Sequence, residues 1–540
     1  MYIATLLSSY WQQYCQSQVL RLICKFGLAL VLLLLIWRLW TFSIVPVLFP
    51  EKPRRLPYWV PYLGHAGAFM DNADALFNRG YNHFQSNEPF ALTVGGRTIV
   101  VTRGPQELSE VWKNSTALSF DPFIVGVFKS FGQSSKFIER VFSTDLETLV
   151  GSDARSNSKL INENPSGKCY VHLQSTWLKS QLLGNDELTQ LHTIYHSHLN
   201  DILEWKSLPK QLALSQNEKH TTISLAKFSR YIVSRCAMKT FLGDRIFEMA
   251  PSFAQDYQKY EDDSWKIFFQ YPHFMAKDLH IAKEHVIKDL IKYFALPQEQ
   301  RPGVAWIFET MYKELRTLDL DPHDISGVIM LIIWAINNNA HHMAFWMLAH
   351  MLCNPSLLAE VRNETDRTVS PDGSIDIELL VNECPTLNAV WLEVLRIYNA
   401  GSVARQAEQD ITIGHKSISR GDTIMSPFRQ LHMNTDIFGD DAHGFNPSRF
   451  LRNKNLHRNK GYVPFGGGHT YCPGRFFAQR EVFMFIALSL YRFEFTLDPE
   501  QLAKDGGVKV PEVNLKIPSA AAMGPASDLI VRIALRQPGS

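Results

Sequence analysis

The stretch Phe465-Gly466-Gly467-Gly468-His469-Thr470-Tyr471-Cys472-Pro473-Gly474-Arg475 decides the fold, because it sets one cysteine at the tip of a glycine-rich loop that turns directly into a helix. Consecutive glycines let the backbone take positive φ and approach a large planar ligand without Cβ clashes. Pro473 suits the first helical position, which leaves Cys472 near the N-cap. There the free N–H groups and the positive dipole end are expected to lower the thiol pKa and keep the sulfur ionised. Such a loop is built to hold a thiolate against a flat metal cofactor.

Upstream, Leu387-Asn-Ala-Val-Trp-Leu-Glu393-Val-Leu-Arg396-Ile-Tyr398 reads as a largely apolar helix carrying two opposite charges three residues apart. That spacing puts both on one face. Buried there, the pair would be costly to break, at about 3–5 kcal/mol. Phe445-Asn-Pro-Ser-Arg449-Phe450 follows and brings a third charged residue.

With these three segments the chain resembles the cytochrome P-450 superfamily of haem-thiolate enzymes. Phe465, Gly468, Cys472 and Gly474 occupy the positions of that family's haem loop. Glu393, Arg396 and Arg449 match its structural Glu-Arg-Arg triad, and Arg405 falls where the family often places a propionate-binding arginine. Thr470, with His469 beside it, stands where an Arg or His often meets a haem propionate, so anchoring there is weaker or comes from elsewhere. The resemblance runs from about residue 53 to 536. It implies a mainly α fold with small β-sheets and haem b ligated by Cys472, with O2 as co-substrate. It also implies a basic proximal face receiving electrons from NADPH through a separate flavoprotein reductase. The motif-poor remainder agrees, since neither a phosphate loop nor a clear dinucleotide fingerprint is present.

Apolar residues make up 46% of the 540, ample for a large core, and the net charge of +1 gives no reason to expect nucleic acid. The cysteines, at 15, 24, 169, 236, 353, 384 and 472, are scattered and never in Cys-x-x-Cys spacing. They read as reduced thiols.

Near the N-terminus, residues 22–42 are apolar apart from Lys25 and Arg38, and about 20 such residues span a bilayer. The two cations can snorkel to the interfaces. We therefore expect residues 1–50 to hold a single-pass anchor, 51–62 to form a proline-rich hinge isolating it, and 63–540 to form the catalytic domain. Lys52, Arg54 and Arg55 point that domain to the cytosolic side, with Arg21 and Lys25 on the other flank pulling against it, and the expected membrane is the endoplasmic reticulum. Beyond the hinge, alternation around Gly95-Gly96 predicts a hairpin. The polar stretch 152–168 predicts a mobile loop.

A long helix over 324–353, capped by aspartate near Pro322 and stopped by Asn354-Pro355, is apolar on all faces and hence buried. Into it the chain inserts Asn337-Asn338-Asn339-Ala340-His341-His342. Buried amides need partners, and ordered water supplies them where protein groups do not. By resemblance Asn339 is the catalytic position over the iron, organising water beside oxygen, and Ala340 replaces the family's usual threonine. The surroundings, Trp334-Ala335 through Phe345-Trp346, look most like the branch of sterol and bile-acid hydroxylases, prostacyclin synthase and fungal tailoring enzymes. His192 and His196 share a helical face at metal-pair spacing, without the adjoining glutamate of a zinc motif, and read as a hydrated surface.

The resemblance implies a monooxygenase inserting one oxygen atom from O2 into a lipophilic terpenoid, sterol or polyketide in secondary-metabolite biosynthesis. An isomerase or dehydratase working without reductase, and a non-catalytic haem sensor, are the alternatives. Reductant dependence and product formation separate them.

Overall fold

The computed structural model describes residues 2–217, 219–268, 271, 273–515, 517 and 521–537. Helices dominate, with small sheets among them. The chain divides into two compact units: Met1–Phe69, Ala75–Ser119 and Gln406–Met425 form the first, and Met70–Asp74, Phe120–Arg405 and Ser426–Ser540 the second.

In the first unit the apolar N-terminal run forms a helix, Tyr2–Leu39, which widens over Trp40–Ile44 and ends at Val45–Leu48. Its Arg21–Leu48 portion has a mean hydropathy of 2.3, and none of that stretch is buried. It is long and apolar enough to cross a bilayer. The connector does not isolate this helix as its prolines suggested. Tyr58 packs against Trp37 and Phe42, with ring centroids 5.5 and 5.2 Å away. Arg38 donates to the Tyr58 carbonyl and lies 3.9 Å over the Trp59 ring. A cation at the edge of an apolar helix is held by the nearest carbonyl and aromatic face, and the connector supplies both. Beyond it, Gly95 and Gly96 take φ of 56° and 78°, as the tight turn between strands Phe90–Val94 and Arg97–Val101 requires. Thr423 to Met425 pair in parallel with Ile99 to Val101.

The second unit is organised by the helix Pro322–Leu352. Asp321 starts it, its carboxylate accepting the His323 N–H at 2.8 Å. Asn354 ends it by capping the next helix, Pro355–Thr365, through the Leu357 N–H. Helices Leu225–Leu242 and Arg475–Arg492 pack on it, and Asn185–Ile202 packs on those two. Phe477 sits in the bundle between Phe241 and Tyr195, with centroids 5.2 and 5.9 Å away. His192 also belongs to this core and is not a hydrated surface residue. It is 1% exposed and stacks on Phe477, and burial, aided by Arg480, pushes its pKa down to about 3. His196 donates instead to the Gly373 carbonyl. An antiparallel sheet orders Phe493–Leu497, Ile530–Leu535, Thr221–Ser224 and Ala213–Gln216 side by side.

The polar stretch 152–168 is not a plain loop. It forms two short helices, Ser152–Arg155 and Lys159–Asn162. Between them Ser158 is buried and its hydroxyl donates to Glu314 Oε2 at 2.7 Å, while the Leu160 N–H reaches the same oxygen. A buried carboxylate demands donors, and this segment provides them.

Candidate active site

Cys472 stands at the turn between the glycine loop and the helix Arg475–Arg492. Gly466 and Gly468 adopt φ of 74° and 61°, left-handed backbone that favours glycine. The Cys472 N–H closes the loop on the Phe465 carbonyl at 3.1 Å, and Gly466 N–H bonds the Val463 carbonyl at 3.0 Å. A Cβ added at Gly474 would lie 3.9 Å from Cys472 Sγ, against the flank of the sulfur. Phe465 lies against Trp391, centroids 6.4 Å apart.

Two expectations are corrected here. The helix begins at Arg475 with Gly474 as its cap, so Pro473 lies in the preceding turn and not at the first helical position. The thiol pKa is raised, because desolvation by burial outweighs the Gly474 and Arg475 N–H groups and the Arg475 charge that pull it down. Burial disfavours the anion more than the nearby helix end favours it.

Arg405 is 3% exposed, with its guanidinium 4.5 Å over the Phe120 ring. Its NH2 donates to Thr470 Oγ1 at 2.5 Å and its NH1 to the Ala404 carbonyl at 2.8 Å. Among the described residues no carboxylate is paired with it, and burial alone lowers its pKa to about 10. A buried cation without a counter-charge is unfavourable, so this site is completed by an anionic group from outside the chain. A planar ligand bearing carboxylates and a thiolate-seeking metal fits that requirement, and haem has both features. Thr470 is thus drawn toward the buried arginine, while Lys179 donates to the His469 carbonyl.

Behind the loop, Glu393, Arg396 and Arg449 meet in the core, 0%, 0% and 5% exposed. Arg396 binds Glu393 in fork fashion, Nε and NH2 each at 2.8 Å. Its NH1 then donates to the carbonyls of His432 and Ala442. Glu393 also accepts from the Asn446 N–H. Two residues that sequence reading passed over tie this cluster to the loop. His432 Nδ1 donates to the Arg396 carbonyl at 3.2 Å, and its Nε2 accepts the Val463 N–H at 3.0 Å. Asn399 Nδ2 donates to the Pro464 carbonyl at 2.5 Å. Their only signal in the sequence is a polar residue within an otherwise packed segment.

In the long helix, Ala335 is exposed although the residues around it are buried or nearly so. Space opens at this point of the core. Asn339 Oδ1 accepts the Ala522 N–H at 3.1 Å, which leaves its Nδ2 hydrogens for water. Ala340 is 5% exposed. Asn337 Nδ2 bonds back to the Ile333 carbonyl, while among the described residues its Oδ1 has no partner.

Comparison with known proteins identifies the family. A cytochrome P-450 family model matches residues 133–517, more than half of the chain. The cytochrome P-450 monooxygenase poxD of Penicillium oxalicum is 23% identical over 83% of this chain and 88% of its own length. Human prostacyclin synthase is 25% identical over 88% of this chain and 93% of its own. The solved structure of retinoic acid-bound cyanobacterial CYP120A1 superposes with a TM-score of 0.65 at 17% identity, covering 90% of this chain and 99% of that one. With its glycine-looped cysteine, buried Glu-Arg-Arg cluster and matching family model, the chain belongs to the cytochrome P-450 family and is a haem-thiolate monooxygenase.

Proposed function

We propose that this monooxygenase acts on a lipophilic small molecule of terpenoid, sterol or polyketide type in secondary-metabolite biosynthesis, from an anchor in the endoplasmic reticulum membrane. The observation that carries the site assignment is Cys472 on its glycine loop beside Arg405, a buried cation with no carboxylate opposite it. Bound at that loop, haem supplies the activation of O2. Cys472 ligates it, Phe465, Gly468 and Gly474 shape its bed, and Arg405 with Thr470 holds a propionate. Glu393, Arg396 and Arg449 keep the bed in place. Asn339 holds a pocket water through Nδ2. Likeness to a fungal monooxygenase and to prostacyclin synthase supports a lipophilic substrate.

Electrons come from NADPH through a separate reductase. Arg449, Arg475 and Arg480 are engaged inside the protein, but Arg452, Lys454, Arg458 and Lys460 remain exposed on the sequence preceding the thiolate loop. Exposed cations steer an acidic partner. Residues 1–50 carry the single-pass anchor, 51–62 the hinge and 63–540 the catalytic domain facing the cytosol.

Ala340 favours a second reading, in which the substrate already carries oxygen and is rearranged without reductant. Product analysis after expression with a reductase, in cells fed terpenoids, sterols and polyketides, tests both. Reductant-dependent oxygenated product supports the first; full product without reductant supports the second. Cys472→Ser should abolish the thiolate-type spectrum of the reduced carbon monoxide complex, and a surviving spectrum would move the ligand elsewhere.

A further inference from the structure

One turn beyond Asn337 on the long helix, His341 is buried, and among the described residues its Nε2 has no hydrogen-bond partner. Residues four apart share a helix face, so His341 and Asn337 present two unpartnered polar atoms, Nε2 and Oδ1, along one line. Facing that line is Glu261 of the helix Phe253–Asp263, whose Oε2 lies 3.9 Å from His341 Nε2. Arg230 of the helix Leu225–Leu242 grips the same oxygen, with Nε at 2.8 Å and NH2 at 2.6 Å from Oε2. Its NH1 reaches the next residue, Asp262, whose side chain is 60% exposed. A line of ionisable groups therefore runs from solvent to the helix that carries Asn339 and Ala340.

We infer that Glu261 and His341 form a proton-feeding pair for the oxygen chemistry of this site, in the role that a hydroxyl at position 340 would otherwise fill. The inference rests on the monooxygenase reading above. A proton from solvent water enters the Glu261 carboxyl, while Arg230, which joins Glu261 to Asp262, stays cationic and orients the carboxyl without carrying the proton. The proton passes to His341 Nε2, restoring the carboxylate and forming imidazolium. It then leaves for water at the Asn337 amide, returning the imidazole to neutral. No electrons move. The 3.9 Å gap exceeds a hydrogen bond, and a side-chain rotation or one water spans it.

A purely structural role explains these groups less well. Packing alone would be served better by apolar side chains than by a buried imidazole and amide with unsatisfied atoms. The titratable groups facing the pair are Arg230, Asp262, Tyr257, Tyr260 and His342. Burial raises the Glu261 pKa against the pull of Arg230. Burial, with the neighbouring His342 and Arg230, drives the His341 pKa far down, so the pair passes a proton only transiently and both groups return to their resting forms. Both are positioning residues, because neither touches the reacting atoms.

The test uses the full-length, haem-loaded protein with its reductase and compares wild type, Glu261→Gln, His341→Phe and the double variant. Wild type must first form product only with reductant; its failure to do so would defeat the monooxygenase reading without touching the variants. Each single variant should then slow product formation about 100-fold, the scale of general acid–base assistance. Peroxide released per product should rise, and the double variant should be no worse than either single. An independent readout needs no turnover: the infrared carbonyl band that appears when Glu261 takes up a proton on acidification should be missing in Glu261→Gln. Its titration midpoint should move in His341→Phe. Asp262→Asn, at an exposed position, serves if the buried variants fold poorly, and should also raise the peroxide fraction. An unmoved midpoint, or a peroxide fraction unchanged in folded variants, overturns the pair.

Discussion

Arg449 Nε meets Glu393 Oε1 at 3.1 Å across 56 residues of sequence, with both side chains buried. Because Glu393 also grips Arg396 in fork fashion, one carboxylate serves two cations; removing it strands Arg396, while Arg449 keeps Asp441 at 2.9 Å.

Glu393→Ala should therefore cost about 3–5 kcal/mol of stability, the scale for breaking a buried ion pair. The protein should fail to retain haem, because Arg396 and its bonded neighbour His432 support the backbone at Val463, next to the loop. Denaturant unfolding and haem content measure this. A haem-replete, normally stable variant without turnover would point to a chemical role for Glu393 instead.

His432 makes acid stability a test of the same connection. Burial, with Arg396 nearby, lowers its pKa from 6.5 to about 3, so the folded protein holds it neutral while the unfolded chain protonates it. Stability from this group is present above pH 6.5 and declines as pH falls toward about 3. The slope is about 1.4 kcal/mol per pH unit within that window. His432→Asn should be less stable at neutral pH yet show a shallower loss between pH 6 and about 4. Equal slopes for the two proteins would mean that His432 is not held neutral.

Arg405 gives an effect whose sign depends on the cofactor. With its guanidinium buried and no carboxylate opposite, Arg405→Met should raise the stability of haem-free protein. With haem, the same variant should weaken binding about tenfold or more, from the loss of a charge-assisted hydrogen bond. Unfolding of the haem-free form and the haem dissociation rate are the two measurements. Stabilisation without weaker haem binding would place the propionate elsewhere.

The features legible in the sequence are those that local spacing determines. The positive φ of Gly466 and Gly468, the single helical face of Glu393 and Arg396, and the turn at Gly95-Gly96 each follow from residues adjacent in the chain. What was not legible depends on partners far away. His192 looked hydrated because its pattern gives no hint of Phe477, nearly three hundred residues on, which covers it. The stretch 152–168 looked mobile because Glu314, its anchor, lies in another helix. The Cys472 thiol looked acidic from the helix beside it, whereas the desolvation that outweighs the helix comes from the whole surrounding fold. His432 and Asn399 escaped notice because their importance lies in which carbonyls and N–H groups they reach.

The last prediction concerns Asn339 and Ala340. Asn339 spends its carbonyl oxygen on the Ala522 N–H, so Asn339→Leu removes both that tether and the Nδ2 hydrogens available to pocket water. If oxygen chemistry draws on that water, the variant should consume reductant and release peroxide with little product. Asn339→Asp keeps an acceptor for Ala522 while replacing the amide hydrogens by an ionisable oxygen, so it tests the donor role apart from the tether. Ala340 is buried, so a threonine there must fit a packed wall, but its hydroxyl can turn back to the carbonyl four residues earlier or forward into the pocket. Pointing forward, it adds a donor close to the reacting oxygen, and Ala340→Thr should then lower the reductant used per product. An isomerase would show neither change, because it uses no reductant. The measurement is reductant consumed and peroxide released per product for wild type and the three variants. Unchanged coupling in both Asn339 variants would remove Asn339 from proton supply.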